Sequence, residues 1–281
     1  MKRIFTLFVA FAAILMSSRM QAVEFGYDAG AELVSAYIWR GQYNGGLSFQ
    51  PDVAVGFDAE HSSLRVGAWG SLGASDWKFV RGLAVDAEGN DPNTRFIPEV
   101  DIYLNANIWG VTVGFTHYYY FGGSPFLNWK NPENGTSQTE VSLGYDFSTL
   151  LEKVPLSITW NTMVLGSDHI EQEDGSLKRA FSTYIEAKYD LALPFDLTLS
   201  LAVGISPWAS TLYGNDGFAV NNIAARLQKA WDFDVCELDL FALGSINTYG
   251  INKSNAFIWQ AGDYKLYQQR LNGCIGLGVW F

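Results

Sequence analysis

Residues 271–281 form one unbroken alternation. Leu271, Gly273, Ile275, Leu277, Val279 and Phe281 alternate with Asn272, Cys274, Gly276, Gly278 and Trp280. Side chains of a strand point to opposite faces with period two, so this segment is a strand with one oily face and one mixed face. A soluble sheet must cover its oily face with a second layer, whereas a transmembrane barrel turns it toward acyl chains. An aromatic at the end of such a strand, here Phe281, is expected of the closing strand of an outer-membrane barrel.

The alternation recurs along the chain. Leu47, Phe49, Val53, Val55 and Phe57 oppose Ser48, Gln50, Asp52, Ala54 and Asp58. Val100, Ile102, Leu104, Ala106 and Ile108 oppose Glu99, Asp101, Tyr103, Asn105 and Asn107. Twelve such segments are expected, at 30–40, 47–59, 63–72, 96–108, 111–121, 138–147, 155–165, 180–191, 195–206, 218–229, 236–247 and 265–281. Their lengths suit transmembrane strands of about 9–11 residues. In the first segment Glu32 and Arg40 share parity with Val34 and Ile38, which leaves its orientation open. The connections alternate between short (around His61, Trp109-Gly110, and Ala192 to Pro194) and long (73–95, 122–137, 166–179, 207–217 and 248–264). This asymmetry predicts an all-β, transmembrane, antiparallel up-and-down β-barrel of about 12 strands, with both termini periplasmic.

Lys2 and Arg3 precede an apolar stretch from Ile4 to Met16, and Ala22 ends a plausible cleavage site. Residues 1–22 therefore read as a signal peptide and 23–281 as the barrel, placed in the outer membrane of a Gram-negative bacterium after cleavage. Loss of Lys2, Arg3 and Arg19 moves the net charge from −11 to about −14, which makes nucleic acid an unsuitable partner. No later segment approaches the apolar run of a spanning helix. The charged fraction is 17%, against about 25% for soluble domains, and fits a chain facing lipid.

Aromatics gather at the strand ends. Phe57, Trp109, Phe147, Tyr189, Phe195 and Phe281 fall at the short-turn end, while Tyr37, Trp39, Trp69, Tyr119 and Phe121 fall near the long-loop end. Two belts separated by one strand length match the girdles of a barrel. Parity turns Asp52, Arg65, Glu99, Asp101, Glu140, Glu186, Lys188, Arg226, Asp239 and Arg270 inward, and Arg40 is a further lumen candidate at the first long turn. These charges either line a polar conduit favouring cations or neutral solutes, or neutralise one another as a plug, as Arg226 would with Asp239. Cys236 and Cys274 fall on opposite faces, which argues against a disulfide. No catalytic constellation, cofactor site or metal site is expected: His61, His117 and His169 are scattered, and His117 should face outward near Tyr119.

The stretch Ser35-Ala36-Tyr37-Ile38-Trp39-Arg40-Gly41, the pair Gln50-Pro51 and the strand Gly67-Ala68-Trp69-Gly70-Ser71 resemble uncharacterised bacterial outer-membrane proteins of the Gcw_chp type and similar Gram-negative envelope proteins. The likeness extends to Trp160-Asn161-Thr162 and Gly217-Phe218-Ala219-Val220. It implies an outer-membrane barrel and supplies no activity or catalytic residue.

The functional expectation is a narrow channel for small solutes or a structural envelope protein. The alternatives are glycan binding by outer loops carrying Trp77, Trp129 and Trp259, and less favoured, an outer-membrane hydrolase. The expected partners are outer-membrane lipid, small solutes or glycans, and the barrel-assembly machinery acting on the strand ending at Phe281.

Overall fold

The computed structural model describes residues 23–73, 98–121, 125–129, 136–151, 153–248, 257–261, 264–267 and 270–281. The proposed signal segment, Trp77 and the side chain of Trp259 lie outside the described residues. The strands are β1 (Glu24–Val34), β2 (Tyr37–Trp39), β3 (Gln42–Gly45), β4 (Ser48–Ala59), β5 (Ser62–Gly73) and β6 (Glu99–Ile108). There follow β7 (Val111–Tyr120), β8 (Ser137–Asp146), β9 (Leu156–Gly166), β10 (His169–Glu171), β11 (Leu177–Arg179) and β12 (Thr183–Leu193). The series ends with β13 (Leu197–Ser206), β14 (Ala219–Phe233), β15 (Cys236–Ile246), β16 (Phe257–Ala261), β17 (Tyr264–Tyr267) and β18 (Leu271–Trp280).

Twelve of these strands close into one antiparallel barrel. Its ring order is β1, β4, β5, β6, β7, β8, β9, β12, β13, β14, β15, β18, and β18 pairs back onto β1 from Gly30↔Trp280 to Val34↔Gly276. Closure removes the edges that an open sheet would leave unpaired. The other strands form the hairpins β2–β3, β10–β11 and β16–β17, which interrupt three of the long connections. The start of β1 and the end of β18 lie at the end of the barrel that carries the short turns. At one of these, Trp109 and Gly110 both adopt positive φ (53° and 80°), the type I′ pattern that follows the right-handed twist of β6 and β7. Between β8 and β9 a 3-10 turn at Phe147–Thr149 is capped by the Asp146 carboxylate, which accepts from the Ser148 N–H.

The alternation sorts residues by face. Val53 (55% exposed), Leu143 (56%) and Ile275 (63%) point outward, while Ser71, Asn221 and Thr183 inside the sheet surface are fully covered. The outer surface is thus studded with large exposed hydrophobics, and no helix among the described residues is long and apolar enough to cross a membrane. Phe57, Phe121, Trp109, Phe195 and Phe281 are all exposed at strand ends, and Tyr119, Phe147 and Tyr189 are half-buried. Cys236 and Cys274 are both free thiols.

The expected first strand needs correction. The barrel strand is β1, Glu24–Val34, and residues 37–40 leave the wall altogether. The chain breaks at Ser35-Ala36, turns into the lumen as β2, reverses at Arg40-Gly41 and returns as β3. The face of β1 is then settled: Glu32 and Val34 are inward, and Leu33 is 48% exposed outward. The β12–β13 turn also sits slightly later than expected, at 194–196.

Candidate functional site

The β2–β3 hairpin is a short inserted plug whose tip crosses the lumen. Its register pairs Ile38 with Tyr43 and Trp39 with Gln42, leaving Arg40 and Gly41 as the two turn residues. Both have positive φ (51° and 76°), so the turn is again of the type I′ kind. A non-glycine residue in this region costs about 1 kcal/mol, and Arg40 holds it because its side chain is tightly engaged. Gly41 has a second constraint: a Cβ there would collide with the backbone carbonyl of Asn221.

Arg40 carries the latch. Its Nη1 and Nη2 donate to Glu140 at 2.6 and 2.8 Å in a bidentate pair, and Nη1 also donates to the Tyr213 hydroxyl at 2.7 Å. The planar guanidinium fork fits a carboxylate in this way, whereas a lysine would meet it as a point charge. The guanidinium also lies 4.5 Å from the Trp39 ring centroid and 4.9 Å from that of Tyr184. Tyr118 donates a hydrogen bond to Glu140 at 3.1 Å, so the buried carboxylate is fully engaged. Gln42 donates to the Leu212 carbonyl (2.8 Å), and Asn272 of β18 donates to the Gly41 carbonyl (2.9 Å). The hairpin thereby bridges β8, β18 and the β13–β14 connection.

The space beside the hairpin differs on its two sides. Toward β1, β18, β15 and β14 it is filled. Val34, Ala36, Tyr43, Phe241 and Cys274 form a buried apolar cluster. Arg226 stands 3.6 Å over the Phe241 ring, 3.3 Å from Glu32 and 3.6 Å from Asp239. Gln228 donates to Asp239 at 2.9 Å.

Toward β4, β5, β6 and β7 a cavity of about 410 Å³ remains. Tyr37 and Trp39 of the hairpin form one wall; Asp52, Trp69, Asp101 and Tyr103 form another, completed by Asn105, Thr116 and Tyr118. Asp52, Trp69, Asp101 and Tyr118 are cross-strand partners in one row across four strands. Tyr103 reaches over β5 to donate to Asp52 at 2.8 Å, and Gly67 lies under its ring, where a Cβ would collide with the phenol. The Tyr37 and Trp69 rings lie 5.4 Å apart. Glu99, one step up β6, accepts hydrogen bonds from Tyr37 and Tyr120.

The remaining residues singled out in the sequence fall as follows. Arg65 is inward near the short-turn end, 2.6 Å from Asp28 and 2.7 Å from Asp58. Lys188 pairs with Asp190 at 3.0 Å. Glu186 accepts from the Tyr184 hydroxyl at 2.6 Å. Arg270 is exposed just before β18, and its carbonyl accepts from the Asn247 N–H. Tyr37, Trp39 and Trp69, expected in the outer girdle, face the lumen instead. Tyr37 and Trp39 read as girdle residues only if the hairpin is part of the wall, whereas the parity of Trp69, shared with inward Arg65 and Ser71, already turns it toward the lumen.

His117 keeps the outward parity of Val113 and Phe115 but is only 4% exposed. Residues 125–129 fold over it: Phe126 lies 4.7 Å away edge-on and Trp129 6.2 Å away. Its Nδ1 meets the Thr139 hydroxyl and its Nε2 the Phe126 carbonyl, both at 2.8 Å. Trp129, one of the outer-loop tryptophans, is half-buried against this histidine. At the same end of the barrel Asp168 is a structural knot. It accepts from the Ser182 N–H (2.9 Å) and hydroxyl (2.6 Å), and Ser210 donates to Ser182 at 2.6 Å. Burial pushes the Asp168 carboxyl above the usual carboxylate range, opposed by the Ser182 donors. Among the described residues no group of three His, Cys, Asp or Glu side chains is placed to hold a metal ion.

The sequence missed the hairpin, although a signal was present. Arg40-Gly41 and Asn44-Gly45-Gly46 place turn formers four residues apart, too close for a strand of spanning length.

No family model matches the chain, and no curated protein matches it. Solved structures of similar outline include an outer-membrane channel of Pseudomonas putida F1 (10% identity, TM-score 0.42, 94% of this chain and 96% of that one). Others are the toluene transporter TodX of P. putida (9%, 0.39, 91% and 89%) and OmpF of Salmonella typhi in complex with daunomycin (9%, 0.38, 92% and 97%). Likenesses this distant say nothing about solute or activity.

Proposed function

We propose that the chain is an outer-membrane barrel acting as a narrow conduit for small solutes, closed in the described state by the β2–β3 hairpin. One observation carries the reading: a closed ring of strands exposes large apolar side chains outside and encloses charged groups and a cavity inside. Such a surface is stable only against an apolar medium, and such an interior suits polar solutes. In this reading residues 1–22 are a cleaved signal peptide, the short-turn end faces the periplasm, and the assembly machinery engages the strand leading to Phe281. The kinship is that of the Gcw_chp type, and no residue is assigned a catalytic role.

Inward-facing Arg40, Arg65, Lys188 and Arg226 each have a carboxylate within 2.6–3.3 Å. Asp101 has no such counter-charge among the described residues, so the conduit favours cations. Planar-bilayer recording of the refolded protein tests this: stepwise openings with a cation-selective reversal potential are expected, and a silent bilayer at all voltages refutes conduction. The latched interior favours a second reading, a structural envelope barrel that stays plugged. The Arg40→Ala variant separates them, because only a gated conduit gains conductance when the latch is removed.

A further inference from the structure

We propose that the cavity between the hairpin and β4–β7 binds a small organic cation, an alkylammonium or quaternary ammonium group carrying an apolar body. The proposal deepens the conduit reading by naming the class of solute, although binding itself requires no conduction.

Four observations converge. The first is the row Asp52–Trp69–Asp101–Tyr118, in register across four adjacent strands. Side chains directly opposite in an antiparallel pair stand about 4.5–5.5 Å apart at Cβ, so an indole sits between two carboxylates with a phenol beyond. The second is Asp101. It is 6% exposed, lines the cavity, and its Oδ1 has no hydrogen-bond partner. A buried carboxylate oxygen without a donor is costly, and a bound cation would satisfy it.

The third is composition: among the described residues no Lys or Arg lines the cavity. Arg40, next to Trp39, and Arg65, two residues from Gly67, are committed to Glu140 and to Asp28 and Asp58. The fourth is the aromatic wall. Tyr37, Trp39 and Trp69 join Tyr118, with Tyr37–Trp69 and Trp39–Tyr118 centroids 5.4 and 5.8 Å apart. Ring faces attract cations through their quadrupole, and cages of this kind recognise quaternary ammonium groups. A hydrated inorganic ion would use the carboxylates and gain little from so much ring surface. A neutral sugar would leave the Asp101 charge uncompensated. A volume of about 410 Å³ admits a head group together with a short apolar chain.

The test is calorimetric titration of the intact detergent-solubilised barrel with choline and with 3,3-dimethylbutan-1-ol, its neutral carbon isostere. Saturable choline binding is expected, with the isostere at least roughly tenfold weaker. Asp101→Asn and Trp69→Leu should each weaken choline about tenfold while heat-modifiable gel migration shows a folded barrel. Arg226→Ala, on the filled side, should leave choline binding unchanged. Equal binding of the isostere, full affinity in folded Asp101→Asn, or no saturable binding overturns the proposal. Choline binding by a protein silent in bilayers keeps this site and sinks the conduit. Cation-selective openings without choline binding do the reverse.

Discussion

The two sides of the lumen are built from the same kinds of residue and end up with opposite character. On the β14–β15–β18–β1 side, Arg226 meets Glu32, Asp239 and the face of Phe241 beside an apolar cluster, so charge is cancelled and space is filled. On the β4–β7 side, Asp52 and Asp101 flank Trp69 with no counter-charge among the described residues, and space is left. A barrel of this girth therefore has room for a wall-to-wall packed core on one side only. The hairpin divides the two, held by a bidentate pair that belongs to neither. Paired charge acts as mortar, and uncancelled charge beside a void is where a solute belongs.

The comparison can be broken most forcefully at the divider. Arg40→Ala leaves Glu140 buried without its partner, a loss of about 3–5 kcal/mol if the hairpin stays in place, measured by denaturant unfolding in detergent. If the hairpin swings out instead, water reaches Glu140, the stability loss is small and single-channel conductance rises. A variant that loses neither stability nor gains conductance removes the latch from the account. Next in size, Arg226→Ala should destabilise the filled side by about 1–3 kcal/mol, reduced by the partial exposure of the guanidinium. Asp101→Asn is the mirror experiment. Its carboxylate has no counter-charge among the described residues and one oxygen without a donor, so stability should be unchanged or rise by about 1 kcal/mol. Equal losses in the two variants would erase the distinction between the sides.

Gly67→Ala sharpens the open side. The new methyl displaces the Tyr103 ring and loosens its bond to Asp52, costing about 1–2 kcal/mol in the same unfolding assay. The smallest effect lies outside the lumen, at Asp168. Burial disfavours its charged form, so the folded protein holds that proton more tightly than the unfolded chain does. The contribution is therefore fully present below the ordinary carboxylate pKa of about 4 and declines as pH rises toward the elevated one. Hydrogen exchange at the Ser182 amide, corrected for intrinsic rate, should show less protection at about pH 7 than at about pH 4.

The wall of the barrel was legible because its pattern is dictated locally. Val53, Val55 and Phe57 must share a face whatever the rest of the chain does, and the short turns at His61 and Trp109-Gly110 punctuate it. The inward set followed by parity, so Asp52, Glu99, Asp101, Glu140 and Asp239 could be placed on the correct face of their strands. The content of the lumen was not legible, because it depends on pairs far apart in sequence. Tyr37-Ile38-Trp39 has the composition of a spanning strand, and it is distant contacts, such as those of Arg40 to Glu140 and Tyr213 and of Gly41 to Asn272, that hold it as a plug. His117 shows the same limit on the outside. Its parity was readable, but the roof of Phe126 and Trp129 over it was not.

The latch also carries a schedule. Gly41 is held by Asn272, 231 positions later, and Arg40 by Glu140 and Tyr213, 100 and 173 positions later. The hairpin tip precedes each of these partners in the chain, so its hydrogen bonds cannot form until strands from the far end of the sequence are in the ring. Docking of Trp39 and Arg40 should therefore be the final event of assembly. Until then the nascent vessel stands uncorked.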